Sequence, residues 1–227
     1  LEGLPSARKL GAELLGLDAS EVIAGGNSSL TMMYQAVQYA WMLGPDGKSA
    51  WRNEANIKFL CPSPGYDRHF AICEQFGIEM LPIRMTDNGP DMDQVEALLK
   101  ADASIKGMWC VPKYGNPTGC VYSAETVDRI AALGKIASTN FRVLWDNAYV
   151  IHDLTSNPPV LANIMERCRV HGTEHNVLQF TSTSKITHAG AGIAFMGGSK
   201  ENLAVFCKQL GICTIGPDKV NQARHIK

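Results

Sequence analysis

Apolar positions along the chain follow two alternating rhythms. Residues 6–17, 28–43, 67–76, 91–100, 123–137, 159–170 and 200–210 repeat their apolar side chains at helical spacing. Short apolar runs rich in β-formers lie between them, at 57–61, 78–83, 105–111, 141–145, 177–181 and 192–196. Strand followed by helix followed by strand predicts an α/β fold: a mostly parallel sheet with helices on both faces, because crossover connections place them there. No repeat or flexible linker interrupts the pattern, so one domain is expected. The stretch 44–56, with Pro45, Gly47 and polar neighbours, reads as a surface loop.

Composition narrows the picture. Of 227 residues, 45% are hydrophobic, and 21 Lys and Arg stand against 22 Asp and Glu, a formal net charge of -1. Such a balance supports an apolar core and supplies no general field for nucleic acid or an anionic membrane. No apolar run is long enough to span a bilayer, and the first residues have neither the basic flank nor the apolar stretch of a signal peptide. The seven cysteines are odd in number and spread out, without a C-x-x-C pair, and mostly set among apolar neighbours. They read as reduced, buried thiols of a cytoplasmic chain rather than as metal ligands.

In open α/β sheets ligands sit beyond the carboxyl ends of the strands, and four polar clusters occupy such places. Gly25-Gly26-Asn27-Ser28-Ser29 precedes an apolar helix; its N–H groups and hydroxyls suit a phosphate, or simply cap the helix. Tyr114-Gly115-Asn116-Pro117-Thr118-Gly119 follows the run ending at Val111-Pro112 and reads as a turn that holds an amide at a strand mouth. Asp146-Asn147-Ala148-Tyr149 puts an acid after a strongly apolar strand, where a buried carboxylate requires a partner: a cap or a ligand cation. Ser182-Thr183-Ser184-Lys185 precedes a run of small residues. If Lys185 is enclosed there, desolvation lowers its pKa and frees an amine for Schiff-base chemistry.

In this order the four clusters resemble the fold type I aminotransferases that use pyridoxal 5'-phosphate (PLP), and more narrowly the class I aspartate aminotransferase group. Asn116, Asp146 and Lys185 are separated by about one crossover unit plus a strand, as that family requires. The resemblance implies that Lys185 forms the Schiff base with PLP and shuttles the proton between substrate Cα and cofactor C4′. It implies that Asp146 pairs with the pyridine nitrogen, and that Tyr149 and Asn116 bond the ring's phenolic oxygen, with Asn116 also near the substrate carboxylate. Ser28, Ser29 and Ser182 would hold the phosphate.

Three departures from the family pattern stand out. Gly192 occupies the place of the usual phosphate-binding Arg, which leaves His188 or a second subunit to meet that charge. Ser63 falls where an aromatic ring stacks on the cofactor, so that Tyr66 or His69 would take over. The chain also has no position for the small-domain Arg that grips the substrate carboxylate. It is therefore expected to be an incomplete large PLP-binding domain, residues 1–227, with the small domain of N- and C-terminal segments absent. The segment 214–222 resembles a loop that faces the partner subunit, which implies a homodimer. The expected activity is transamination between an amino acid, preferably an acidic one such as aspartate, and a 2-oxo acid such as 2-oxoglutarate. Two alternatives stay open: another PLP reaction on the same scaffold (elimination, decarboxylation or cyclisation), or a non-catalytic sensor domain of a transcriptional regulator.

Overall fold

The computed structural model describes residues 1–226. An eight-stranded sheet runs through the molecule in the order β1-β8-β7-β6-β5-β2-β3-β4. Its strands are β1 (Val22–Ala24), β2 (Lys58–Ser63), β3 (Glu79–Thr86), β4 (Gly89–Pro90), β5 (Ile105–Cys110), β6 (Arg142–Asp146), β7 (Val177–Ser182) and β8 (Ala194–Gly198). The five central strands β7, β6, β5, β2 and β3 are mutually parallel. The helices are α1 (Pro5–Leu15), α2 (Ser29–Leu43), α3 (Asp67–Gln75), α4 (Met92–Ala101), α5 (Ala124–Ala132), α6 (Ile164–His171), α7 (Lys200–Cys213) and α8 (Lys219–His225). The predicted α/β architecture with a mostly parallel sheet is what the structure shows.

Departures from parallel pairing fall at the edges. Residues 183–193 link β7 to β8 with a single 3-10 turn, too little chain for a helical crossover, so β8 returns antiparallel to β7. Strand β1 then adds antiparallel to β8. The sequence pattern gave no sign of β1, because three residues carry no period. The segment 214–222, expected as a loop, enters α8 at Lys219, capped by the Asp218 side chain on Asn221 N. Buried Gln222 of α8 accepts from Leu4 N and donates to Ala24 O, tying that helix to β1. The 44–56 stretch is not wholly a surface loop either: Trp51 is buried in it and packs edge-on against Phe59. The helix expected from 159 starts at Ile164, capped by Asn163, since Pro158 and Pro159 lack the N–H groups a helix interior uses.

Alternation along β6 sorts the two cores. Val143 and Trp145 enter the core covered by α4, α5 and α6, while Leu144 enters the one covered by α2, α3 and α7. Asp146 shares parity with Leu144 and so points toward α2 and α3. Cys61, Cys73, Cys110 and Cys168 are buried, and all seven cysteines are free thiols. No helix among the described residues is long and apolar enough to cross a membrane.

Gly107 of β5 lies against the ring of Phe59, which Trp51 and Trp109 in turn confine. A Cβ there would fall within the space of that ring. Gly107→Ala is therefore expected to destabilise the fold by roughly 1–3 kcal/mol, read as a lower urea midpoint with an unchanged slope.

Candidate functional site

The carboxyl ends of β6 and β7, the loop after β1 and the start of α3 converge on a cavity of about 260 Å³. Its wall includes Ser28, Ser29, Tyr66, Asp146, Ser182 and Lys185, together with Asn27 and Ser184. Six of the residues expected at a site thus meet in one place, although they lie far apart in the chain.

Asp146 is the last residue of β6 and only 4% exposed. Its Oδ2 lies 3.0 Å from Nε2 of His69, itself 1% exposed on the first turn of α3. An ionised carboxylate only accepts, so the imidazole N–H donates. The His69 ring stacks on Trp109 with centroids 4.3 Å apart and planes 9° apart, and Trp109 Nε1 donates to Cys73 Sγ at 3.3 Å. His69 is thereby fixed from two sides and is committed to Asp146 rather than to a ligand ring. The other carboxylate oxygen, Oδ1, is buried and has no hydrogen-bond partner among the described residues. A buried acceptor left in this condition calls for a donor from a bound group.

The hydroxyl groups surround the start of α2. Ser28 caps it, accepting from Thr31 N, and Ser29 opens its first turn. Ser182 caps the 3-10 turn Thr183–Lys185 by accepting from Ser184 N. The carbonyl of Asn27 accepts from Ser184 Oγ at 2.6 Å and from Ser182 Oγ at 3.3 Å, so the two loops are stitched together. The sequence signalled Asn27 and Ser184 only as members of polar clusters; their role as loop fasteners depends on β1 and β7 flanking β8, which no local pattern shows. Gly192 packs so tightly on the backbone of Ser184 that a Cβ would overlap it, which explains why no Arg stands there.

Lys185 follows Ser184, and its Nζ lies over the ring of Tyr149, 3.9 Å from the centroid. The enclosure expected for Lys185 is not made within this chain: its side chain is exposed, because residues 186–191 run through solvent beside it. Tyr149 is half-buried and stands edge-on to His152 at 5.2 Å. Of the two aromatic candidates, Tyr66 lines the cavity while Ser63 is exposed at the end of β2. Burial, then the nearby Asp146 carboxylate, raises the pKa of the Tyr66 phenol. Asn116 is exposed and borders an adjoining crevice with Trp109 and Gly65 instead of the main cavity. His188 is exposed and stands outside the residues that line the cavity.

Known proteins resemble the chain over its whole length. A family model described as aspartate amino-transferase matches residues 1–227. An aspartate aminotransferase of Corynebacterium glutamicum is 42% identical over 228 residues, which cover all of this chain and 52% of that protein. The crystal structure of an aspartate transaminase from the same organism superposes with a TM-score of 0.94 at 43% identity, covering all of this chain and 53% of that one. An α-aminoadipate aminotransferase of Thermus thermophilus, complexed with N-(5'-phosphopyridoxyl)-L-leucine, shares the fold at a TM-score of 0.78 and 21% identity, covering 97% of this chain and 52% of its own. The chain spans about half the length of the curated relatives it matches.

Removing the imidazole would leave both Asp146 oxygens buried without a partner. His69→Leu is expected to cost roughly 2–3 kcal/mol in urea unfolding, and the double variant with Asp146→Leu less than the sum of the two single ones. Additive losses would show that the two residues do not act as a pair.

Proposed function

The chain belongs to the aspartate amino-transferase family, and on that premise we propose that it is the large cofactor-binding domain of a PLP-dependent aminotransferase. The reaction we assign to the whole enzyme moves the amino group of an amino acid, preferably an acidic one such as aspartate, to a 2-oxo acid such as 2-oxoglutarate. One observation carries the reading: Asp146, whose Oδ1 is buried without a partner among the described residues, lines the same cavity as Lys185, Ser28 and Ser29. That donor set fits PLP at both of its ends. When bound, PLP supplies an aldehyde that condenses with amines and a pyridine ring that takes up the electron pair released at the substrate Cα.

Each residue then has a task. Asp146 Oδ1 would accept a hydrogen bond from the pyridine N–H, and a carboxylate there would favour the protonated ring nitrogen. His69 holds Asp146 in the rotamer that does so. Ser28, Ser29, Ser182 and the N–H groups of the first α2 turn would hold the phosphate, whose charge the helix start favours. This cradle takes the place of an Arg at Gly192 and leaves His188 outside it. Tyr66 would lie against the ring, and Tyr149 would donate to its phenolic oxygen. Asn116, from the neighbouring crevice, would reach the same oxygen and the substrate carboxylate. Lys185 would hold PLP at its aldehyde, and its amine would move the proton at the substrate Cα. A homodimer completes the enclosure of Lys185 in this reading, and the strongly exposed Leu154, Val160 and Ile215 supply apolar surface for further contacts.

Match over the whole chain to aminotransferases favours an enzyme over a sensor domain. Borohydride treatment of the protein incubated with PLP is expected to fix a pyridoxyl group on the peptide containing Lys185, read by mass spectrometry. Lys185→Ala should lose both the label and the activity, the latter by more than about 10³. Label retained in that variant would refute the assignment. Supplied with aspartate and 2-oxoglutarate, the full enzyme should yield glutamate; release of ammonia or carbon dioxide instead would place it with the eliminating or decarboxylating reactions.

A further inference from the structure

A second polar anomaly lies at the opposite end of β6. Arg142, its first residue, is 7% exposed, yet no carboxylate among the described residues forms an ion pair with it. Its Nη1 donates to Phe141 O and its Nη2 to Asn202 Oδ1. Among the described residues, its Nε is buried and unpartnered, and so is Nε1 of Trp51. Arg142 and Trp51 both line a cavity of about 30 Å³ whose other walls are largely apolar, including Ala36, Ala40, Leu178 and Phe206.

Both unpartnered groups are donors with no capacity to accept. A water placed there would satisfy them and would still need acceptors for its own two hydrogens; among the described residues, the only other neutral polar side chains in the walls are Tyr39, which is bonded to Cys213, and Asn202, whose oxygen already accepts from Arg142. An occupant that only accepts, carries the charge Arg142 lacks and fits a space of one or two water molecules answers every requirement. Asp46 is the nearby carboxylate, and it is engaged by Lys48 N, Ser49 N, Ser49 Oγ and Asn140 Nδ2 in its own loop. Burial pulls the pKa of Arg142 down to about 10, with the Asp46 charge opposing, a change that a counter-anion would reverse.

We propose that Arg142 and Trp51 form an internal site for a single monovalent anion of halide size, chloride under ordinary conditions, locked between β6, α2 and α7. The site is separate from the cavity of Asp146 and Lys185, so it stands or falls independently of the aminotransferase reading.

Thermal unfolding of the protein in sodium chloride or bromide, against sodium gluconate at equal ionic strength, tests the proposal. Above its dissociation constant, each tenfold rise in halide is expected to raise Tm by roughly 3–5 °C. Arg142→Met should abolish the difference between halide and gluconate. Trp51→Phe, which removes one donor and keeps the ring, should weaken it and serves if the Arg142 variant does not fold. Crystals grown with bromide should show an anomalous peak in the cavity lined by Arg142 and Trp51. Equal melting in halide and gluconate, a halide effect that persists in Arg142→Met, or a water or empty space in place of the bromide peak would each overturn it.

Discussion

A carboxylate held almost without solvent at the end of a central strand is the constraint on which the site turns. Asp146 lies where water cannot solvate it, and the fold gives it one partner, His69, for one oxygen. The remaining oxygen is buried and has no partner among the described residues. Keeping such a group charged and aimed requires a rigid surrounding, and the stack of His69 on Trp109, with Trp109 bonded to Cys73, provides it.

The second requirement is that loops from distant parts of the chain stay in register around that carboxylate. Asn27 and the Ser182–Ser184 turn meet because β1 and β7 flank the same strand, β8. Gln222 and the tight contact of Gly192 with Ser184 hold the same corner from behind. The antiparallel edge of an otherwise parallel sheet is thus part of the site: it brings the start of α2 within reach of the turn that carries Lys185.

Charge is handled differently at the two ends of β6. At the carboxyl end Asp146 has a buried imidazole beside it; at the amino end Arg142 has carbonyl and amide oxygens only. Each end carries one buried hydrogen-bonding atom without a partner among the described residues, the acceptor Asp146 Oδ1 at one and the donor Arg142 Nε at the other. A five-residue strand with opposite unmet demands at its tips makes its surroundings, rather than its own sequence, responsible for neutralising them.

Much of this was legible before any coordinates. The helical and strand rhythms are set by which faces must be buried, so seven of the helices and the parallel strands could be read from period alone. The polar clusters stood out because hydroxyls, amides and charges beside strongly apolar strands need an explanation there. What the sequence could not determine was every relation between segments distant in the chain. That His69 serves Asp146 and Tyr66 faces the cavity depends on how α3 packs over β5 and β6. That Trp51 is core rather than loop depends on Phe59 lying beneath it, and the three residues of β1 became a strand only through β8. Burial pattern is a local property and is written along the chain, whereas partnership between polar groups is fixed only when packing brings distant residues within hydrogen-bond reach.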